Sequence, residues 1–166
     1  MNIRTITEND LPLRVKWMNH PQIYTSMHYD IPVLLENTLS WYKKNKENPN
    51  RIDVVFEDNC EILAMGGLTG IDTISKKAEL YIFVNPFAHS KGIGTKATRL
   101  LCKYAFEKLN LKKVFLVTNE TNLSAQKVYE KVGFKLEGRL RKEALVKGML
   151  EDRFYYGIFS NELVEL

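Results

Sequence analysis

The stretch from Lys77 to Ala105 constrains this chain more than any other. Lys77 to Val84 alternates as a strand does, and Asn85 to Thr95 carries Pro86, Gly92 and Gly94. Ile93, Ala97, Leu100, Leu101, Tyr104 and Ala105 then fall at offsets 0, 4, 7, 8, 11 and 12, the apolar stripe of a helix. A strand, a glycine-rich turn and an amphipathic helix in that order put the free amides of the helix start, and the positive end of its dipole, beside the turn. An anion fits there, with Lys91 and Lys96 adding charge. The same two glycines would equally serve a plain tight turn.

Two phosphate-binding patterns compete for this turn. A nucleoside-triphosphate loop needs G-x4-G-K-[ST], and no glycine pair precedes a lysine at that spacing. Gly92-Ile93-Gly94-Thr95-Lys96-Ala97 matches the dinucleotide pattern G-x-G-x-x-[GA], but six residues, Asn85 to Ser90, separate it from the strand where a tight turn is required. Only 72 residues follow Gly94, and the last strands pair as a hairpin, so the second half of a dinucleotide fold has no room.

Around this unit the periodicity gives the order β α α β β β α β α β β. Ile3 to Thr7 reads as a strand. Asn9-Asp10 caps a helix with Pro12 in its first turn and an apolar face of Leu11, Val15 and Met18; Leu35, Thr38, Leu39 and Tyr42 mark a second helix. Arg51 to Glu57, Glu61 to Ile71 and Lys77 to Val84 read as three antiparallel strands, with Gly66-Gly67 inside the second. Val114 to Val117 is a buried strand, Ala125, Val128, Tyr129 and Val132 a helix face, and Phe134 to Val146 with Met149 to Phe159 a closing hairpin around Lys147-Gly148. No repeat, linker or low-complexity tract interrupts the 166 residues, which therefore read as one domain, 1–166.

Composition narrows the function classes. A net charge of +4, with acids interleaved among the bases, gives no nucleic-acid footprint, although Arg139, Arg141, Lys142 and Lys147 gather on the last hairpin. Met1 to Met18 has no apolar leader core, and the longest apolar runs, such as Ile62 to Met65, are four residues, so no membrane association and a cytoplasmic location are expected. Cys60 and Cys102 lack short-spaced partners and read as reduced; His20, His28 and His89 lack metal-ligand spacing, so no metal is expected.

The fuller set of motifs resembles the GNAT acyltransferase superfamily. His89-Ser90-Lys91-Gly92-Ile93-Gly94 is similar to its [QR]-x-x-G-x-[GA] loop, with His89 standing where the family has Gln or Arg. Ala78 to Pro86 resembles the strand before that loop, and Asn122 to Phe134 resembles the N-x-x-[SA]-A-x-x-x-Y-x-x-x-G-F helix. Glu137-Gly138-Arg139-Leu140-Arg141, Gly148 and Asp152-Arg153 look like the branch holding ribosomal-protein alanine, spermidine and amino-sugar N-acetyltransferases. The resemblance implies a mixed α/β (α+β) fold, the GNAT fold, with a central sheet of about seven strands and about four helices. It also implies acetyl-CoA as co-substrate, and family members of this shape are often homodimers.

Acetyl transfer from a thioester to an amine needs a held donor, a deprotonated amine, a group to take up the oxyanion and a proton for the thiolate. By the resemblance, Ser90, Lys91, Gly92, Ile93, Gly94 and Thr95 hold the pyrophosphate, and a backbone amide at Phe83 or Val84, freed by a strand bulge, meets the acetyl carbonyl. Glu79 shares a strand face with Tyr81 and Phe83 and is a candidate general base, directly or through water, for an amine of pKa about 10.4, with a solvated strand glutamate as the alternative. Tyr129, with a reference pKa of about 10, is the candidate acid for the thiolate, and otherwise a core tyrosine. Asn122 is a helix cap and, by the resemblance, also touches CoA. Direct transfer in a ternary complex is expected, with no acylated side chain.

The acceptor wall, Trp17 to Trp41, holds Trp17, His20, Tyr24, His28, Tyr29 and Trp41, and between Lys16 and Trp41 only Asp30 and Glu36 are acidic. That lining favours a nucleotide-linked amino sugar or a peptide N-terminal amine over a polyamine, which would call for clustered carboxylates. A polyamine (spermidine-type) N-acetyltransferase and a CoA-binding relative without catalysis are the alternatives within the fold, and a nucleic-acid-binding module and an NAD-linked oxidoreductase the alternatives outside it.

Overall fold

The structure, a computed structural model, describes residues 1–88 and 92–164. Its strands are β1 (Asn2–Thr5), β2 (Arg51–Asp58), β3 (Glu61–Asp72), β4 (Lys77–Val84), β5 (Lys113–Asn119), β6 (Lys135–Val146) and β7 (Met149–Phe159). The helices are α1 (Leu11–Met18), α2 (Pro21–Tyr24), α3 (Leu35–Asn45), α4 (Ile93–Glu107) and α5 (Leu123–Val132). The expected order holds, with one addition: α2 is a single turn, N-capped by His20 and too short to leave a periodic signature.

The seven strands form one sheet in the order β1-β2-β3-β4-β5-β7-β6, antiparallel throughout except at β4/β5. Both faces of the centre are covered, which is why Asp53 to Phe56 of β2 is buried without alternation. Val54 and Phe56 join Leu80, Leu101, Leu116 and Ile158 under α4 and α5. Val55 joins Met65, Phe83, Leu11 and Trp17 under α1 to α3. The α4 stripe packs as its spacing predicts, with Ile93, Ala97, Leu101 and Ala105 buried.

Gly66 and Gly67 in β3 mark a close approach. A Cβ on Gly67 would stand 2.3 Å from the Ile52 carbonyl and 2.7 Å from the Tyr81 ring, so only glycine lets β2, β3 and that ring pack together. One face differs from expectation. On α1 the buried residues are Leu11, Arg14 and Trp17, whereas Val15 and Met18 are half-buried. A hydropathy stripe assigns a charged residue to solvent, and here a charged residue points inward.

Candidate active site

β4 and β5 stay paired only from Lys77/Lys113 to Glu79/Phe115. Beyond that point β4 continues along β3 to Val84 and β5 along β7 to Asn119, so the two strands part and open a V in the sheet. The Asn85 amide donates to the Leu63 carbonyl at 2.9 Å. Because antiparallel pairing alternates and the β3/β4 register runs unbroken there, the Phe83 amide also faces β3, while the amides of Ile82 and Val84 face the V. The expected bulge at Phe83/Val84 is therefore not what frees an amide: the divergence of β5 does, and the freed amide is that of Val84 rather than Phe83.

The V opens into a cleft of about 940 Å³. Ile82, Phe83 and Val84 line one side, Gly94 the head, and Asn122, Val128 and Tyr129 the floor. At the head, Gly92 takes φ +85, the left-handed region glycine enters freely, and among the described residues no side chain caps α4. Among the described residues, Lys96 makes the first bond of the helix, to the Gly92 carbonyl. The amides of Ile93, Gly94 and Thr95 precede it and have no carbonyl a turn behind them within the helix. Three donors at a positive helix end suit a pyrophosphate. Ser90 and Lys91, also expected to hold it, lie outside the described residues, as does His89.

Tyr129 projects from α5 into the same cleft, its ring held by Phe134 at 5.8 Å and Tyr156 at 6.2 Å. Burial pushes its phenol up to about 12, so it stays protonated across the neutral range. Its hydroxyl has no protein hydrogen-bond partner among the described residues and can donate into the cleft. Asn122 caps α5, accepting from the Ala125 amide at 3.2 Å, and lines the cleft as well, so its two roles coexist. Gln126 Nε2 donates to the carbonyls of Asn119 and Glu120, fixing the β5–α5 turn. His28 Nε2 sits 3.0 Å from Asn119 Oδ1 and ties the segment after α2 across the mouth.

Glu79 is not brought to this cleft. It pairs with Phe115 at the last closed rung of the V, about 13 Å of strand before Phe83, and its charge acts on Arg153 and Tyr155. The cleft carboxylate is Glu151 on β7, which accepts from the Thr121 hydroxyl at 2.8 Å, with Lys147 beside it. Sequence reading missed Glu151, whose only local signal is its place in an alternating strand. It also missed the bank formed by Thr25, Ser26 and Met27. Of the expected acceptor wall, Trp17 is core, 1% exposed and edge-on to Phe83 at 6.4 Å; His20 packs on Phe87; Tyr24 and Tyr29 line a hollow adjoining the cleft.

On the last hairpin, Arg139 is engaged by Glu120 at 2.9 Å and by Asp152, which removes it from any basic patch. Among the described residues no cluster of three or more His, Cys, Asp or Glu could hold a metal ion, and no helix is long and apolar enough to cross a membrane.

Residues 1–135 match the family model of the acetyltransferase (GNAT) domain. The spermidine N(1)-acetyltransferase of Escherichia coli K12 is 30% identical over 121 residues, which cover 73% of this chain and 65%, just under two thirds, of that enzyme. The putative ribosomal N-acetyltransferase YdaF of Bacillus subtilis is 30% identical over 127 residues, 76% of this chain and 69% of the relative. The crystal structure of spermidine N-acetyltransferase from Vibrio cholerae in complex with CoA and spermine superposes with a TM-score of 0.92 at 24% identity, covering 97% of this chain and 96% of that one.

Proposed function

The chain belongs to the GNAT acetyltransferase family, and on that premise we propose that it is an acetyl-CoA-dependent N-acetyltransferase of a primary amine. The observation that carries this reading is the convergence on one cleft of three things: the outward amide of Val84, the hydroxyl of Tyr129 and the amides at the start of α4, which no side chain caps among the described residues. Acetyl-CoA supplies the activated acyl group. The α4 amides and Asn122 hold its polar end. The Val84 amide donates to the acyl oxygen as charge gathers on it. Tyr129 gives its proton to the departing sulfur while the amine loses one. Glu79 as acceptor of that proton requires a water chain, given its distance along β4.

Two acceptor classes have support, from different sources. The relatives named for spermidine favour a polyamine over the amino sugar or N-terminal amine expected from the sequence. The lining favours the amino-sugar reading: beside Thr25, Ser26 and Met27 stand one lysine and one carboxylate, and that carboxylate is already bonded to Thr121. The whole of residues 1–166 is read as one catalytic domain, and the family resemblance supports a homodimer, which light scattering tests.

The test has two stages. Thermal stability is measured with acetyl-CoA, CoA, NADH and ATP, since a ligand of the folded state raises it by mass action. Thiol release is then followed with spermidine, spermine, amino-sugar nucleotides and peptides. A shift with acetyl-CoA and CoA followed by thiol release on one amine class supports the reading. No shift at saturating CoA removes it, and a shift without turnover leaves a CoA-binding relative.

A further inference from the structure

Resting on the acetyltransferase reading, we infer that the acceptor carries an oxyanion, a carboxylate or phosphate, and that Arg14 receives it in a hollow next to the cleft. Arg14 lies on the buried face of α1, 6% exposed, and its Nη1 is buried without a hydrogen-bond partner. No carboxylate among the described residues forms an ion pair with it. Its Cζ stands 4.7 Å from the ring centre of Trp41, 5.2 Å from that of Phe83 and 5.7 Å from that of Tyr81.

A second guanidinium in the same aromatic cluster sharpens the contrast. Arg51 lies 5.0 Å from Trp41 and 5.7 Å from Tyr81, and is bonded through Nε and Nη2 to both oxygens of Asp53 at 2.7 and 2.8 Å. The Tyr81 hydroxyl also donates to Asp53. The cluster thus holds two cations, Arg14 buried and Arg51 half-buried, and one carboxylate, and the carboxylate is spent on Arg51. Ring faces offset only part of what a buried charge loses in hydration. A cation left unpaired beside an open hollow is poised for a ligand anion.

The hollow is about 280 Å³ and is walled by Arg14, Tyr29, Asp30, Asn37 and Trp41. Tyr29 and Asp30 also wall a second hollow, whose Thr25, Met27, Val146 and Lys147 in turn line the main cleft. Phe83 lines the cleft and faces Arg14 with its ring. One molecule can therefore set its amine before Val84 and its oxyanion on Arg14. A polyamine offers Arg14 nothing; an amine that also carries a phosphate or carboxylate uses it.

Trp41 makes the contact observable in the unmodified protein. Tryptophan fluorescence is followed as inorganic phosphate or acetate is added at constant ionic strength, with CoA saturating so that the helix-start site is filled; Trp41→Phe identifies the reporting ring. Saturable change with at least one anion is expected, and which anion acts tells phosphate from carboxylate. Arg14→Met should weaken it at least tenfold. Phosphoethanolamine and β-alanine are compared with ethanolamine for thiol release, and one of the two anionic amines should exceed ethanolamine in kcat/KM by tenfold or more, an advantage lost in Arg14→Met. No fluorescence change with either anion, equal binding by Arg14→Met, or a preference for ethanolamine overturns the inference. If Arg14→Met does not fold, Arg14→Lys keeps the charge without the fork and should bind several-fold more weakly; binding equal to the parent overturns it. Loss of the acetyl-CoA thermal shift would strike the acetyltransferase reading instead, so the two failures are distinguishable.

Discussion

Removing one oxygen from Tyr129 tests the proposed chemistry most directly. In Tyr129→Phe the ring contacts with Phe134 and Tyr156 are kept, and the hydroxyl removed makes no bond within the described protein, so stability should change by less than about 0.5 kcal/mol. A positioned general acid contributes roughly 10²- to 10⁴-fold, which is about 2.7 to 5.4 kcal/mol of barrier. The assay is thiol release at saturating acetyl-CoA on the best amine of the panel, with the thermal shift by CoA measured in parallel. A kcat at least 100-fold lower, with the CoA shift unchanged, is expected. Because burial holds the phenol near 12, the parent should show no alkaline fall from this group below about pH 10. A kcat within twofold of the parent, or a lost CoA shift with kcat kept, would refute the assignment.

Gly92→Ala forces a Cβ into φ +85 where space is otherwise open; roughly 1–2 kcal/mol of strain should lower Tm and weaken CoA binding, both read by thermal shift. Glu79→Gln should depress kcat most at low pH if Glu79 drains the amine proton through water, and an unchanged pH–rate profile would give that role to solvent. For Asp10, burial alone would raise the carboxyl, but hydrogen bonds from the Arg4 guanidinium and from the Thr7 amide and hydroxyl outweigh it and hold it below the ordinary value of 3.8. The depressed value makes its contribution fully present above pH 3.8 and lost as acid protonates the native carboxylate; Asp10→Asn should cost about 1–2 kcal/mol at neutral pH, and chemical denaturation should show the gap to the parent closing below pH 4.

How much of this could be read from the chain depends on where the cause of each feature lies. The α4 stripe, the left-handed Gly92 and the Asn122 cap are set by residues a few positions apart, so periodicity and turn chemistry reach them. The hairpin around Lys147-Gly148 is legible for the same reason, with both turn residues at positive φ. Arg14 is different. What makes its burial tolerable is Trp41 on α3 and Tyr81 and Phe83 on β4, residues 27 to 69 positions away. Hydropathy alone places Val15 and Met18 on the inner face in its stead. Glu79 shows the converse: its face on β4 is right, since it alternates with Tyr81 and Phe83, yet position along a strand decides which group meets the cleft, and that depends on where β5 leaves.

The departure of β5 is the step from fold to chemistry. Every other junction in the sheet is antiparallel, so where strands pair there the facing amides are taken by a neighbour running the opposite way. At the parallel junction the partner must arrive by a crossover, here α4, and the two strands share only the rungs near Lys77–Glu79. Past that point the amides of Ile82 and Val84 have no strand to bond, a cost that a buried backbone donor bears only if a ligand or water takes its place. The crossover helix begins with three more amides, those of Ile93, Gly94 and Thr95, that have no carbonyl a turn behind them within the helix, and α5, which follows β5, delivers Tyr129 to the floor of the same gap. Unsatisfied donors of the fold itself thus surround the gap, and the acyl donor that the family uses is a molecule of carbonyls and phosphates, whose acceptors answer them.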